Sequence, residues 1–377
     1  MPNKLVYLDN AATTVVNQEV LDSYNKTKKQ FFANPSSIHI PGQEASRLLD
    51  KAREQILSCL NVKDDELIFT SGATEANNLA IKGYALRYQN RGKHIIVSSI
   101  EHPSILETAK QLEEHFGFDV TYLPVNNRGV VEVKTLKSAI RKDTILVSIM
   151  AVNNEIGTIN PIHEISKLLK DYTLIVFHVD VTQGIGKIDL PYEDMDMFSF
   201  SGHKIHGLNS SGALIKRKKI ELLPLLSGGG QENNYRSGTN DVALAVSLAK
   251  ALRLANEEKA ANYAKISRFA EILKEYLSSN PDLYELNSDD NPYIVNVSLL
   301  NKKASVLVEA LSTNGIMVSS TSACHAKEEP FSYVVKALGK SDQLAHNTVR
   351  VSFSKDNTEL DVKLLIECLD KLVRELK

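Results

Sequence analysis

The stretch of sequence that most restricts the possible folds of this chain reads Ser199-Phe200-Ser201-Gly202-His203-Lys204-Ile205-His206-Gly207. It places a lysine directly after a short apolar segment, among glycine and small polar residues. In α/β proteins, ligands bind at the carboxyl ends of the sheet strands. A partly desolvated lysine there loses its proton readily, and its amine then forms a Schiff base with an aldehyde cofactor. A lone loop lysine is most often solvated, so the interpretation of Lys204 depends on its neighbours.

Helical and strand-like segments alternate on both sides of Lys204. Apolar runs without polar alternation predict strands that are buried on both faces, and segments with helical spacing lie between them. The predicted strands cover residues 67–69, 94–98, 119–123, 144–150, 173–179, 195–200 and 212–215, and the predicted helices cover 43–60, 74–88 and 102–116. Strands separated by helices predict a mostly parallel sheet with right-handed crossovers. The predicted fold class is therefore α/β.

The pattern changes after the glycine run 228–230. A long helical stretch from Asp241 to about Leu277 follows, and the last third combines strands near 293–299 and 349–353 with helices. We expect a large α/β domain over residues 15–257. A smaller α+β domain would consist of residues 1–14 and 258–377.

Composition restricts the class of protein. The 377 residues are 43% hydrophobic and 24% charged, as in ordinary globular proteins. Lys plus Arg number 44 and Asp plus Glu 46, so the net charge is −2 and the basic excess of nucleic-acid-binding proteins is missing. The sequence has neither the roughly 18–20 apolar residues of a membrane helix nor a signal-peptide pattern. We therefore expect a soluble, cytoplasmic protein without a membrane or nucleic-acid partner.

Two further segments point to a cofactor site around Lys204. Asp180 ends an apolar strand, where a carboxylate can keep a pyridinium nitrogen protonated as an electron sink; such an aspartate can also simply cap a turn. The segment 70–75, Thr-Ser-Gly-Ala-Thr-Glu, joins a strand to a helix. Its small residues let backbone N–H groups face a phosphate, although an ordinary glycine turn would look the same. Together the lysine, the carboxylate and the loop indicate pyridoxal 5′-phosphate.

The chain resembles the cysteine desulfurases, a branch of the fold-type-I pyridoxal-phosphate enzymes related to class-V aminotransferases. The resemblance covers nearly the whole chain and implies the fold-type-I transferase fold. The motifs that carry it occur in the family's order at residues 7–14 (YLDNAATT), 34–39 (NPSSIH), 101–104 (EHPS), 152–157 (VNNEIG), 199–207, 228–230, 236–239 (RSGT), 322–324 (SAC) and 349–353 (VRVSF).

The resemblance implies how the cofactor ring is held. Lys204 would bind the aldehyde, and Asp180 would pair with the pyridine nitrogen. His102 would stack on the ring and assist proton transfer, while Gln183 would hydrogen-bond the ring oxygen.

The resemblance also implies the phosphate and substrate contacts. Asn154 and Arg350 would bind the substrate carboxylate, a role that suits the planar guanidinium of arginine. Thr239 would reach the phosphate of the other subunit, so an obligate homodimer is expected. Within the subunit, the phosphate would be held by Ala73, Thr74, Ser201 and His203.

Cys324 is implied as the catalytic sulfur acceptor. Its neighbours are small and polar, which is typical of a mobile loop, and His325 and Lys327 favour the reactive thiolate. The other cysteines, Cys59 and Cys368, are interpreted as small hydrophobic residues within helices. Three cysteines are too few for a disulfide framework or a structural zinc site, and no metal is expected.

Two positions depart from the family pattern. Thr321 stands where the family usually has glycine, which would stiffen the cysteine loop. Asn233-Asn234 stand where it usually has Arg-Gly, so a cation near the site is lost. The basic run 216–219 is interpreted as a solvated turn, with a docking surface as the alternative.

The implied activity is conversion of L-cysteine to L-alanine, with the sulfur transferred to Cys324 as a persulfide. The sulfur would pass to an acceptor protein, either an iron–sulfur scaffold or a tRNA-thiolating enzyme. Two alternatives stay open at this point: a selenocysteine lyase or other β-eliminating enzyme, and a non-catalytic sulfur-transfer scaffold.

Overall fold

A computed structural model describes residues 5–288, 291–320 and 331–375. Cys324 and Thr321 lie outside the described residues. None of the helices in the described part of the chain combines the length and the apolar character needed to cross a bilayer.

The larger sheet has seven strands in the order β2-β8-β7-β6-β5-β3-β4. Neighbouring strands are parallel, except that β8 runs antiparallel to β2 and β7. The predicted mostly parallel α/β fold is confirmed. The strands are β2 (Glu66–Thr70), β3 (His94–Ser98), β4 (Asp119–Leu123), β5 (Thr144–Ser148), β6 (Val176–Asp180), β7 (Met197–Ser201) and β8 (Gly212–Lys216).

Helices cover both faces of this sheet, which explains why its strands are apolar at successive positions. In β3, Ile95 and Val97 join one core and Ile96 joins the other. The first core includes helices α3 and α4, and the second includes α2 and α6. The helices of this region are α1 (Gln18–Gln30), α2 (Ile40–Cys59), α3 (Ala73–Tyr88), α4 (Pro103–Phe116), α5 (Val133–Ala139) and α6 (Ile162–Leu169).

A second, antiparallel sheet has the order β12-β13-β10-β9, and β1 pairs in parallel with β11. Val6 and Leu8, near the start of the chain, join the core of this smaller unit. Its strands are β1 (Val6–Tyr7), β9 (Tyr284–Leu286), β10 (Ile294–Leu299), β11 (Ile316–Met317), β12 (Ser319–Ser320) and β13 (Thr348–Ser352); its helices are α8 (Ala304–Thr313), α9 (Tyr333–Ala337), α10 (Asp342–His346) and α11 (Glu359–Glu375).

One helix, α7 (Val242–Ser278), contributes to both units. It begins where Asp241 caps it by accepting hydrogen bonds from Ala243 N and Leu244 N at 3.0 and 3.1 Å. Its 37 residues give a length of about 55 Å. Its first turns pack into the large core and its last turns into the small one. We keep the division near residue 257 as a proposal.

The basic run 216–219 does not form a wholly solvated turn. Lys216 ends β8, is fully buried, and pairs with Glu66 at 2.5 Å. Arg217 pairs with Asp65 at 3.0 Å. The interpretation as a solvated turn was therefore wrong for these two residues, because β8 extends into the run and meets the first residue of β2, Glu66, and the residue before it, Asp65.

Candidate active site

Lys204 ends a single 3₁₀ turn, Gly202–Lys204, that directly follows β7. Its Nζ atom donates hydrogen bonds to the carbonyl oxygens of Ala11 and Ala12, both at 2.6 Å. The turn requires glycine at 202, since a Cβ there would lie 2.4 Å from Ser211 Oγ. The lysine thus projects from the carboxyl end of a central strand toward the segment that follows β1.

Asp180 is the last residue of β6, adjacent to β7 in the sheet, and only 5% of its surface is exposed. Its Oδ2 accepts a hydrogen bond from Asn77 Nδ2 at 2.8 Å, and its Oδ1 accepts one from Thr182 N at 2.9 Å. Both donors are uncharged, so they orient the carboxylate without neutralising it. Asn77 lies on α3, and no local sequence pattern marked it.

His102 caps the start of α4, and its Nδ1 accepts from Ser104 N at 3.1 Å. Burial lowers the pKa of His102; the charge of Asp180 opposes this shift and that of Lys204 adds to it. The imidazole is therefore neutral near pH 7, with Nε2 carrying the proton because Nδ1 accepts. His102 lies close enough to both Asp180 and Lys204 to sense their charges, so the structure brings these three predicted residues into one site.

Three of the four predicted phosphate contacts, Ala73, Thr74 and Ser201, lie at or against the start of α3. Ala73 N donates to Ser201 Oγ at 2.7 Å, which joins the helix N-terminus to the end of β7. Gly72 has φ +148°, and a Cβ at Gly212 would lie 2.5 Å from its Cα, so this contact needs glycine at both positions. Thr74 follows Ala73 in the first turn. Backbone N–H groups and the helix dipole favour a negatively charged group at this end of α3.

His203 lies beside Lys204, and its Nδ1 is 3.2 Å from Thr13 Oγ1. Burial lowers the pKa of His203 to about 4, with the charges of Lys204 and Lys187 adding to the shift. A neutral imidazole can still donate a hydrogen bond to a phosphate. His206 Nδ1 lies 2.8 Å from the carbonyl oxygen of Val15. Within the described ranges, no three His, Cys, Asp or Glu residues form a group that could hold a metal ion.

Arg350 and Asn154 are joined directly. Arg350 Nη1 donates to Asn154 O at 2.9 Å, and Nη2 pairs with Asp9 Oδ1 at 2.9 Å. Arg350 Nε and Asn154 Oδ1 are buried without a hydrogen-bond partner among the described residues, as is Thr182 Oγ1 beside Asp180. Such atoms need a partner that the described residues do not supply, and a bound ligand or an ordered water can provide it.

Three other predicted positions lie apart from this cluster. Thr239 is exposed and lines, with Ser71 and Arg236, a cavity separate from the one that Lys204 lines. Cys59 and Cys368 are partly buried against the two cores, and burial raises the pKa of the Cys59 thiol. Gln183, by contrast, lies at the site: its Nε2 donates to Ala11 O at 3.0 Å, the carbonyl that also accepts from Lys204.

The sequence model of the aminotransferase class-V family matches residues 6–365. The chain belongs to this family. It is 42% identical to the cysteine desulfurase IscS of Pectobacterium atrosepticum, over 99% of this chain and 93% of the relative. It is 40% identical to the cysteine desulfurase IscS of Dictyoglomus turgidum, over 99% and 95%. The solved structure of a NifS-like protein superposes with a TM-score of 0.91 at 36% identity, covering 98% of this chain and 99% of that one.

The resemblance inferred from the motifs is thereby confirmed. Class-V aminotransferases and cysteine desulfurases are pyridoxal-phosphate enzymes, and the residues of this chain fit that group. The site combines a lysine amine, a buried carboxylate held by uncharged donors, a neutral imidazole and a helix N-terminus. Four polar residues of this region were not predicted as site residues: Asn77, Ser104, Asp9 and Lys187.

Proposed function

We propose that the chain is a cysteine desulfurase that converts L-cysteine to L-alanine and transfers the sulfur to Cys324. The substrate C–S bond breaks and an S–S bond forms, so the thiol of Cys324 becomes a persulfide and alanine leaves. The observation that carries this proposal is the convergence of Lys204, Asp180 and His102 at the carboxyl edge of the sheet in a chain of this family.

Pyridoxal phosphate, when bound, supplies an electron sink that lowers the cost of removing the α-proton of an amino acid. Lys204, Asp180, Gln183 and His102 would hold its ring; Ala73, Thr74, Ser201 and His203 would hold its phosphate. The Ala11 and Ala12 carbonyls orient the lysine Nζ at the edge of the site, so the amine is placed to accept the proton taken from the substrate.

The substrate carboxylate would be bound by Arg350 and Asn154. A hydrogen bond joins Arg350 to Asn154, and an ion pair with Asp9 holds Arg350 in place. The Nε atom of Arg350 offers a buried N–H to an incoming oxygen, because none of the described residues accepts from it. The strand pair β12–β13 places Ser319 opposite Arg350. The strand that immediately precedes residues 321–330, which contain Cys324, is therefore paired with the strand that carries Arg350.

The active unit would be a homodimer in which Thr239 serves the neighbouring site. Three apolar side chains between α1 and the start of α2 support an interface, since Phe32, Ile38 and Ile40 are 80%, 92% and 70% exposed. Light scattering at the assay concentration tests this, and a fully active monomer would refute it. The sulfur acceptor would be a scaffold protein or a tRNA-thiolating enzyme, and the location cytoplasmic.

The experiment that tests the activity is incubation with L-cysteine and a reductant, with sulfide and alanine measured together. Equal amounts of both products are expected, and none from Lys204→Ala, which should also lose the visible absorption of the cofactor. Competition between cysteine and selenocysteine tests the lyase alternative. A colourless protein that releases neither product would overturn the proposal in favour of the scaffold.

A further inference from the structure

Lys187 is a buried lysine that the proposed reaction does not use. Its surface is 9% exposed, and its Nζ donates to Gln183 Oε1 at 3.1 Å and lies 5.8 Å from the centre of the Tyr293 ring. Burial lowers the pKa of Lys187 to about 7, with the charges of Lys204 and Arg350 adding to the shift. Burying an amine in this way costs free energy, so we expect this side chain to have a specific role in the site.

The backbone is built to place Lys187 against Gln183. After β6, Gly184 O accepts from Lys187 N at 3.0 Å, in a turn that sets residues 183 and 187 on one side. Gly186 has φ +67°, and a Cβ there would lie 2.7 Å from Ala255 Cβ. The turn therefore packs closely on α7, and the position before Lys187 accepts only glycine without strain.

The hydrogen bonds define which way the Gln183 amide points. The Ala11 carbonyl oxygen only accepts hydrogen bonds, so the Gln183 NH₂ group faces it and the amide oxygen faces Lys187 Nζ, which donates to it. The NH₂ group then faces Ala11 O, the acceptor shared with Lys204 Nζ. The same NH₂ group carries a second hydrogen besides the one donated to Ala11 O. The opposite orientation would place the amide oxygen beside the Ala11 carbonyl, where two acceptors repel each other.

We propose that Lys187 is a positioning residue that holds the Gln183 amide with its NH₂ group toward the Lys204 site, as a donor for the oxygen of the cofactor ring. The inference rests on the proposed function, because it concerns how pyridoxal phosphate is bound. It assigns no contact between Lys187 and the cofactor. The effect of Lys187 passes through Gln183.

A double-mutant cycle tests the positioning role of Lys187. It uses Lys187→Met, Gln183→Met and the double variant, because methionine is close in size to both lysine and glutamine. Equilibrium dialysis of the cofactor-free proteins against pyridoxal phosphate gives the Kd, and the absorption maximum of the bound form gives a spectroscopic signature. Each single change should weaken binding about tenfold, as expected for one hydrogen bond, and both should shift the absorption in the same direction. The double variant should bind no more weakly than Gln183→Met.

Multiplicative losses in the double variant would overturn the inference, because Lys187 would then act by its charge or by packing. Thermal unfolding of the cofactor-free forms separates folding from binding. If Lys187→Met does not fold, Gln183→Glu serves instead: it keeps a partner for Lys187 but loses the NH₂ group, so wild-type affinity in that variant would also overturn the inference. Failure of the wild type to bind pyridoxal phosphate would instead contradict the proposed function.

Discussion

The backbone at Asn233 and Asn234 adopts a conformation that few residue types tolerate. Glu232, Asn233 and Asn234 have φ values of +48°, +54° and +70°, all in the left-handed region. Asparagine tolerates this region better than other residues that have a Cβ, which explains how it replaces the family's usual glycine at 234. Asn233 Nδ2 also donates to Glu66 Oε1 at 2.6 Å. The departure from the family pattern is thus compatible with the local fold.

We predict that two substitutions of Asn234 change the free energy of unfolding differently. Asn234→Gly should leave the free energy of unfolding unchanged or raise it by up to about 1 kcal/mol, and Asn234→Val should lower it by about 1–2 kcal/mol. Urea denaturation measures both. Asn127→Val, at an exposed position without a positive φ, is the control and should change stability by less. Equal losses for both valine variants would contradict the backbone explanation.

The three cysteines should differ in function. Cys324→Ser should bind the cofactor and respond spectrally to L-cysteine, yet form no persulfide, because an alcohol is hardly ionised near neutral pH. Cys59→Ser and Cys368→Ser should remain active and lose about 1–2 kcal/mol of stability at most. Persulfide trapping with peptide mass mapping checks this, and sulfur on either helix cysteine would show that the nucleophile is misassigned.

The buried carboxyl of Glu101, next to His102, predicts that folding is sensitive to pH. Its Oε1 accepts from Ser98 Oγ at 2.6 Å and Met150 N at 2.8 Å, and burial raises its pKa to about 8. A carboxyl with a raised folded-state pKa stabilises the fold fully below its unfolded pKa of 4.5, and this contribution falls as the pH rises through about 8.

Glu101→Gln should therefore flatten the pH dependence of stability between about pH 4.5 and pH 8. The wild type should lose on the order of 2–4 kcal/mol more than the variant across this range. Urea denaturation at several pH values measures the difference. The exposed Glu44→Gln should follow the wild-type profile, and a Glu101 variant that did the same would show that the carboxyl is already ionised in the fold.

At the scale of elements, the start of α3 depends on the close approach of β8. Gly212→Ala should force Gly72 away from its position, since the added Cβ would lie 2.5 Å from the Gly72 Cα. We expect a stability loss of about 1–3 kcal/mol and at least about a tenfold loss of affinity for pyridoxal phosphate. Equilibrium dialysis with the cofactor-free protein measures this affinity.

Gly339→Ala is the matched control for Gly212→Ala. Its φ is +83° with open space around a Cβ, so it should lower stability by about 1 kcal/mol through backbone strain alone. Its affinity for the cofactor should be that of the wild type. A normal affinity in Gly212→Ala would mean that the end of α3 tolerates displacement.

The elements that could be predicted from the sequence are those with a strong local pattern. β3 and β4 match their predicted bounds, and α3, α4 and α7 begin or end within one residue of them. The helix predicted from 43 begins at Ile40, because His39 caps it through Gly42 N. The short strands β11 and β12 were not predicted, because long-range pairing alone defines two residues as a strand.

The same distinction applies to the site. Asp180 ends one buried strand and Lys204 follows the next, so strand topology predicts that they lie at one edge of the sheet. Asn77 and Lys187 come from other segments and touch the site only through side-chain contacts. Polar side chains of this kind carry no periodic signal, and tertiary contacts alone reveal them.

At the scale of the whole molecule, the segment 5–14 connects the two units at the site. Val6 pairs with Ile316 in the smaller unit, and Asp9 holds Arg350. Two residues later, the Ala11 carbonyl accepts from Lys204. The lysine side and the carboxylate-binding side of the site are thus attached to one short piece of backbone, which limits how far they can separate.

The long helix α7 has a corresponding consequence for local opening. Its buried residues lie at 242–252 and 266–277, and none of the thirteen residues between them is buried. In amide hydrogen exchange, the two ends should exchange only when their respective cores open, whereas the middle should exchange through smaller and more frequent openings. A protection profile with a minimum near residue 260 would therefore mark the boundary between two cooperative unfolding units. A single continuous helix would then report on the stability of each unit separately.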